Sequence, residues 1–227
     1  MSGNNMPHAA LTRRAFLGGA LGALAIGRSA QAQQPPASRA QTVDTTDLTI
    51  GYEDSGNSSG FPIILLHGFP DDVHAYDEVV PLLTKAGYRT IVPYLRGFGA
   101  TRFRTNALRS GEQATLAQDV VDLADHLRLD RFSVGGYDWG NRTACIAAAL
   151  NPERVRSAVL VGGYSIYDPF APQQPGSPER ERAIWHFFYF NTERGRAALT
   201  ANRRSLCRFF WQTWSPTWSN SGRRSRR

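Results

Sequence analysis

Apolar and polar residues follow two rhythms along this chain, and their order predicts most of its elements. Residues 47–53 alternate apolar and polar side chains as a half-exposed strand does, and the turn-forming run Asp54, Ser55, Gly56, Asn57 follows. Pro62-Ile63-Ile64-Leu65-Leu66 is instead continuously apolar, the pattern of a strand buried on both faces of a parallel sheet. Residues 75–86 carry Tyr76, Val79, Val80, Leu82 and Leu83 at helical spacing, with Gly87 as a stop. A short strand is expected over 89–93. In 115–127 the residues Leu116, Val120, Leu123, Ala124 and Leu127 form one helical face, and Asp119, Asp122 and Asp125 are read onto the opposite one. Then come a strand over 132–135, an Ala-rich buried helix over 141–150 and an apolar strand over 155–161.

Strand and helix thus alternate, which implies βαβ units: an α/β fold with a mostly parallel sheet and helices on both faces. In such a sheet ligands gather beyond the carboxyl ends of the strands. The domain is expected to occupy residues 45–163. A helical lid should follow over 164–218, opening with Tyr164, Tyr167 and a turn-rich stretch from Pro169 to Pro178.

The ends change the picture. Thr12-Arg13-Arg14-Ala15-Phe16-Leu17 precedes an apolar run from Gly18 to Ile26 and then Ala30-Gln31-Ala32. The run is too short to span a bilayer as a lasting helix, and the order resembles a twin-arginine export signal occupying residues 1–32. This implies the twin-arginine translocase and a signal peptidase as partners, cleavage after Ala32, and a periplasmic or secreted product. Residues 33–44 read as a flexible spacer, because 33–41 are rich in Gln, Pro, Ala and Ser.

The net charge of +7 suggests nucleic acid until it is located. Arg13, Arg14 and Arg28 lie in the leader and Arg223, Arg224, Arg226 and Arg227 in the tail, so the body between them is balanced. No nucleic-acid partner is expected. Cys145 and Cys207 are the only cysteines, far apart in the chain, and are expected to be free structural thiols.

Candidate chemistry begins at Gly136-Tyr137-Asp138-Trp139-Gly140, between a predicted strand and a predicted helix. A residue on such a sharp turn is held at the top edge of the sheet, and small neighbours permit the crowding. Taken alone, the motif also fits a loop whose Asp caps a helix. As an elbow it makes Asp138 a carboxylate nucleophile, which attacks carbon by displacement and leaves an alkyl-enzyme ester. Water must then strike that ester, so charge develops on an oxygen of Asp138 itself. The donors expected for this oxygen are the backbone N–H groups of Trp139, at the helix N-terminus, and of Phe69, in the loop His67-Gly68-Phe69-Pro70.

These two motifs in this order resemble the α/β-hydrolases of the epoxide hydrolase and haloalkane dehalogenase branch, over roughly residues 45–218. The resemblance implies an Asp nucleophile followed by Trp, no cofactor and no metal, and a small apolar electrophilic substrate. His67-Gly68-Phe69-Pro70 is closer to the epoxide hydrolases, because the dehalogenases usually place a halide-binding Asn where Phe69 stands. It also implies a lid Tyr that protonates the opening oxygen, three residues before a Tyr-Phe pair. Here the pair is Tyr189-Phe190 and the matching position holds His186, with Tyr164, Tyr167 and Tyr189 as alternative donors. Phe187, Phe188, Trp211 and Trp214 read as lid core and pocket wall.

The resemblance further implies a His base after the lid, with an acid to orient it. The histidines of this chain are His8, His67, His74, His126 and His186, none at that position, and Asp168 is the candidate acid. Residues 219–227 contain no apolar side chain, and the reading is of a domain truncated there with a non-native basic tail. The expectation is an epoxide hydrolase-like hydrolase by descent. The alternatives are a haloalkane dehalogenase-like enzyme and a non-catalytic or degraded hydrolase-fold protein.

Overall fold

The structure, a computed structural model, describes residues 40–105, 110–162, 166 and 175–217. The export motif, most of the spacer, Tyr164, Tyr167, Asp168 and the basic tail lie outside the described residues.

Among the described residues seven strands form one sheet: β1 (Gln41–Asp44), β2 (Leu48–Ser55), β3 (Pro62–Leu66), β4 (Arg89–Pro93), β5 (Arg102–Phe103), β6 (Phe132–Tyr137) and β7 (Val155–Val161). Their spatial order is β1-β2-β4-β3-β6-β7, with β5 paired to β2. The pairs β4·β3, β3·β6 and β6·β7 are parallel, and those of β2 with β1, β4 and β5 are antiparallel. Helices α1 (Val80–Lys85), α2 (Gln113–His126) and α3 (Trp139–Leu150) alternate with the strands, and α4 (Pro178–Phe190) and α5 (Glu193–Trp214) follow.

The period of two along each strand sorts the core onto two faces. Ile64, Leu66, Ile91 and Val134 pack with Leu116, Val120 and Leu123 of α2 and Ala144 of α3. Leu65 and Val92 pack on the other face with Val73 and Tyr76, against Val80 and Leu83. From β3 the chain passes to β4 on one side and then returns to β6 on the other. The topological switch point therefore falls between β3 and β6, and a crevice opens beyond their carboxyl ends.

Several expectations need correction. The helix expected over 75–86 is broken into a 3-10 turn, Val73–Tyr76, and α1, because Pro81 has no N–H to donate and is tolerated only in a first turn. Residues 41–44, read as the end of a flexible spacer, form β1, with Val43 buried in the core. The apolar strand over 155–161 is present, yet β7 lies at the edge of the described sheet with Val159 66% and Val161 61% exposed. Cys145 and Cys207 are both free, as expected.

Asp119 does not face outward. Its side chain is mostly buried and accepts two hydrogen bonds from Arg96, Nε at 2.7 Å and Nη2 at 2.6 Å. Burial raises the Asp119 carboxyl above its ordinary value, and the guanidinium opposes that rise only in part. The pair ties the loop after β4 to α2. Removing one partner strands a buried charge, whereas removing both does not. Arg96→Met should therefore lose about 3 kcal/mol of stability in urea unfolding, and adding Asp119→Leu should recover most of it. A single variant as stable as the wild type would show the pair to be inert.

Candidate active site

Parallel pairing of β3 with β6 sets Leu66 opposite Gly136. Two residues further on, Gly68 and Asp138 face each other across the crevice. The approach is so close that a Cβ on Gly68 would lie 2.5 Å from the Asp138 Cβ. At the next turn a Cβ on Gly140 would lie 1.9 Å from the Leu66 carbonyl oxygen, so α3 can pack on the end of β3 only with glycine there.

Asp138 joins β6 to α3 at φ 52°, ψ −121°, a conformation that costs a non-glycine residue about 1–3 kcal/mol. It occupies the N-cap position, but its side chain caps nothing. Its Oδ1 instead accepts the Phe69 N–H at 2.9 Å. The capping alternative is therefore not what the structure shows. The Trp139 N–H belongs to the first turn of α3, where the helix supplies no acceptor.

The loop after β3 is fixed from behind. The Leu95 N–H donates to His67 Nε2 at 3.1 Å, which leaves Nδ1 as the protonated nitrogen, donating to the Gly68 carbonyl at 3.1 Å. Because a trans peptide points its C=O and N–H in opposite directions, anchoring the Gly68 oxygen turns the Phe69 N–H toward Asp138. His67 is fully buried, and desolvation holds its pKa below the ordinary 6.5, as a neutral ring in this role requires. A second tie runs from the Tyr137 hydroxyl to Asp71 Oδ2 at 2.8 Å. Burial, then this carboxylate, raises the Tyr137 pKa and keeps the phenol protonated.

Above the elbow lies a cavity of about 740 Å3. Asp138, Phe69, Trp139 and Ile146 line it from the core, and His186, Phe187, Phe190 and Trp214 from α4 and α5. The Phe69 ring reaches up into the lid, 5.3 Å from the Phe210 centroid and stacked on His186 at 6.2 Å. His186 is only 8% exposed, and among the described residues its Nδ1 has no hydrogen-bond partner. Desolvation lowers its pKa more than the nearby Asp138 carboxylate raises it.

The structure thus gathers Asp138, Phe69, Trp139 and His186 at one cavity, and Tyr189 is not among its lining residues. Phe187 and Trp214 line it as expected, but Phe188 is 61% exposed and the lid core is Phe210 instead. Arg142, a cavity residue on α3, was missed. Its signal is legible: four residues after Asp138 on a helix means the same face. Among the described residues no cluster of metal-ligating side chains occurs.

Residues 62–220 match the alpha/beta hydrolase fold family. The chain belongs to that family. The chain is 29% identical over 147 residues to epoxide hydrolase A of Mycobacterium tuberculosis, covering 65% of the chain and 45% of that protein. It is 33% identical over 121 residues to a haloalkane dehalogenase of Mycolicibacterium paratuberculosis, covering 53% of the chain and 40% of that protein. A solved structure of a candidate epoxide hydrolase from Klebsiella pneumoniae superimposes with a TM-score of 0.77 at 44% identity, over 81% of the chain and 61% of that one. The matches span less than half the length of these two curated relatives. At the level of family the chain is similar to epoxide hydrolases and haloalkane dehalogenases.

Two depressed histidines set a pH dependence. The unfolded chain protonates His67 and His186 near 6.5 before the folded one does. Stability from this source is full above that value and is lost as pH falls through the lower folded values. The urea midpoint should drop between pH 7.5 and pH 5.5, and a flat midpoint would overturn the assignment of both rings as buried and neutral.

Proposed function

We propose that the protein is an epoxide hydrolase-like enzyme in which Asp138 is the nucleophile. The observation that carries this is the elbow: a carboxylate held at positive φ that caps no helix, accepts the Phe69 N–H through Oδ1, and opens into an aromatic cavity. With Oδ1 held, Oδ2 is the free oxygen that attacks an epoxide carbon. The new C–O bond forms as the ring C–O bond breaks, and its electron pair goes to the ring oxygen, which takes a proton. The product is a hydroxyalkyl ester of Asp138 whose carbonyl oxygen is Oδ1. When water adds to that ester, negative charge collects on Oδ1, where the N–H groups of Phe69 and Trp139 are the donors.

His186 is proposed as the lid hydrogen-bond donor to the opening oxygen. It lines the cavity, and the charge of Asp138 is felt at its ring. Being neutral, it assists by a hydrogen bond rather than by delivering a proton from imidazolium. The aromatic wall favours a substrate with an apolar body. Phe69 at the position of the dehalogenases' halide-binding Asn favours the epoxide over a halide. Export by the twin-arginine route is proposed on the motif from Thr12 to Ala32.

Incubation with styrene oxide followed by intact-mass and peptide mass spectrometry tests the nucleophile. The expected result is an adduct on Asp138 in the wild type, or diol formation where the ester turns over, and neither in Asp138→Asn. An adduct that persists in Asp138→Asn would overturn the reading.

A further inference from the structure

We propose that the cavity takes a substrate carrying a carboxylate, and that Arg142 is the residue that binds it. The inference rests on the reading of Asp138 as nucleophile and adds a second recognition element to it.

Arg142 lies one turn into α3, where its backbone N–H donates to the Asp138 carbonyl, and its side chain lines the same cavity. Its guanidinium carbon sits 5.2 Å from the Trp139 ring centroid and 6.0 Å from that of Phe187. Aromatic faces attract the charge of a guanidinium but accept none of its in-plane N–H groups. Among the described residues no carboxylate pairs with Arg142 and no side-chain hydrogen bond leaves it. The other buried or half-buried arginines behave differently: Arg89 is held by Asp54, Arg96 by Asp119 and Arg154 by Asp125. Glu112 lines the cavity too, but it is exposed and forms no ion pair with Arg142.

A half-buried guanidinium with aromatic rings beside it and its donors unused is a receptor for a planar oxyanion, which a carboxylate fills with two parallel hydrogen bonds. The charge also answers a problem of the reaction. A carboxylate-bearing epoxide approaching the Asp138 carboxylate brings like charges together, and Arg142, one turn from Asp138, offsets that repulsion. The step needs no further reactant: Oδ2 bonds to the epoxide carbon, the ring C–O bond breaks onto oxygen, and that oxygen is protonated from water. The carboxylate stays ionised on Arg142 throughout.

Two probes of nearly equal shape, glycidate and glycidamide, test this on the full chain. The rate of ester formation at Asp138 is followed for each by intact mass. The ratio of the two rates should fall roughly tenfold in Arg142→Gln, the loss expected for a charge-assisted pair, and Arg142→Lys should keep part of it. Because each protein is compared with itself, intrinsic reactivity and partial misfolding cancel from the ratio. An unchanged ratio in Arg142→Gln would overturn the proposal. Binding of phenylacetate and phenylacetamide, read by tryptophan fluorescence, gives an arm without covalent chemistry. Phenylacetate should bind the wild type more tightly than the amide and lose that preference in Arg142→Gln, and equal binding of the two by the wild type would overturn the carboxylate subsite. If neither epoxide labels Asp138 while phenylacetate keeps its Arg142-dependent preference, the nucleophile reading falls and the subsite stands.

Discussion

One hydrogen bond, from the Phe69 N–H to Asp138 Oδ1, sets the conditions that the rest of the fold meets. A charge-assisted bond of this kind contributes about 1.5–3 kcal/mol, much the same as the backbone of Asp138 costs by sitting at positive φ. Left to themselves the two would nearly cancel, and the turn would relax. What holds it is the sheet. Parallel β3 and β6 bring residues 68 and 138 level, Gly140 lets α3 settle against the end of β3, and His67 orients the peptide that donates. The elbow is a local strain imposed by a large, well-packed surround.

Phe69 serves the structure at both ends. Its N–H faces the elbow, and its ring is embedded among His186, Phe190, Phe210 and Trp214 of α4 and α5. A displacement of the lid helices therefore pulls on the residue that supplies the donor to Asp138. The same ring helps to desolvate His186, whose pKa falls because burial outweighs the attraction of the Asp138 charge. Apolar packing thus sets the electrostatic state of the polar groups it encloses.

The parallel strands and the elbow were legible because their signals are local. Continuous apolar runs mark buried strands, and Gly-x-Asp-x-Gly after one of them marks a crowded turn. Features that depend on distant partners were not. Asp119 reads as a surface residue until Arg96, from another loop, is seen to bury with it. Val43 reads as spacer until β2 pairs beside it. Phe188 and Phe210 are indistinguishable by type, and only the packing of α4 against α5 decides that the second is buried. Pro81 and the i, i+4 spacing of Asp138 and Arg142 are local signals too, and both were overlooked. His67 was placed in the right loop, but its two hydrogen bonds, one to Leu95 far downstream, lie beyond any spacing rule.

An aspartate at the elbow also changes what the neighbouring donors must touch. With a serine nucleophile the charge of the transition state appears on the substrate's carbonyl oxygen, so the donors point at space that is vacant until substrate arrives. With an aspartate nucleophile the carbonyl under attack in the second step belongs to the enzyme. The donors must then reach the side chain of residue 138 itself, and they can do so before any ligand binds. On the proposed role of Asp138, the contact of Phe69 N–H with Oδ1 is that arrangement in the resting protein. It also divides the carboxylate into unequal oxygens, one committed to the backbone and one open to the cavity. That inequality is what an ester-forming carboxylate requires and a helix cap does not.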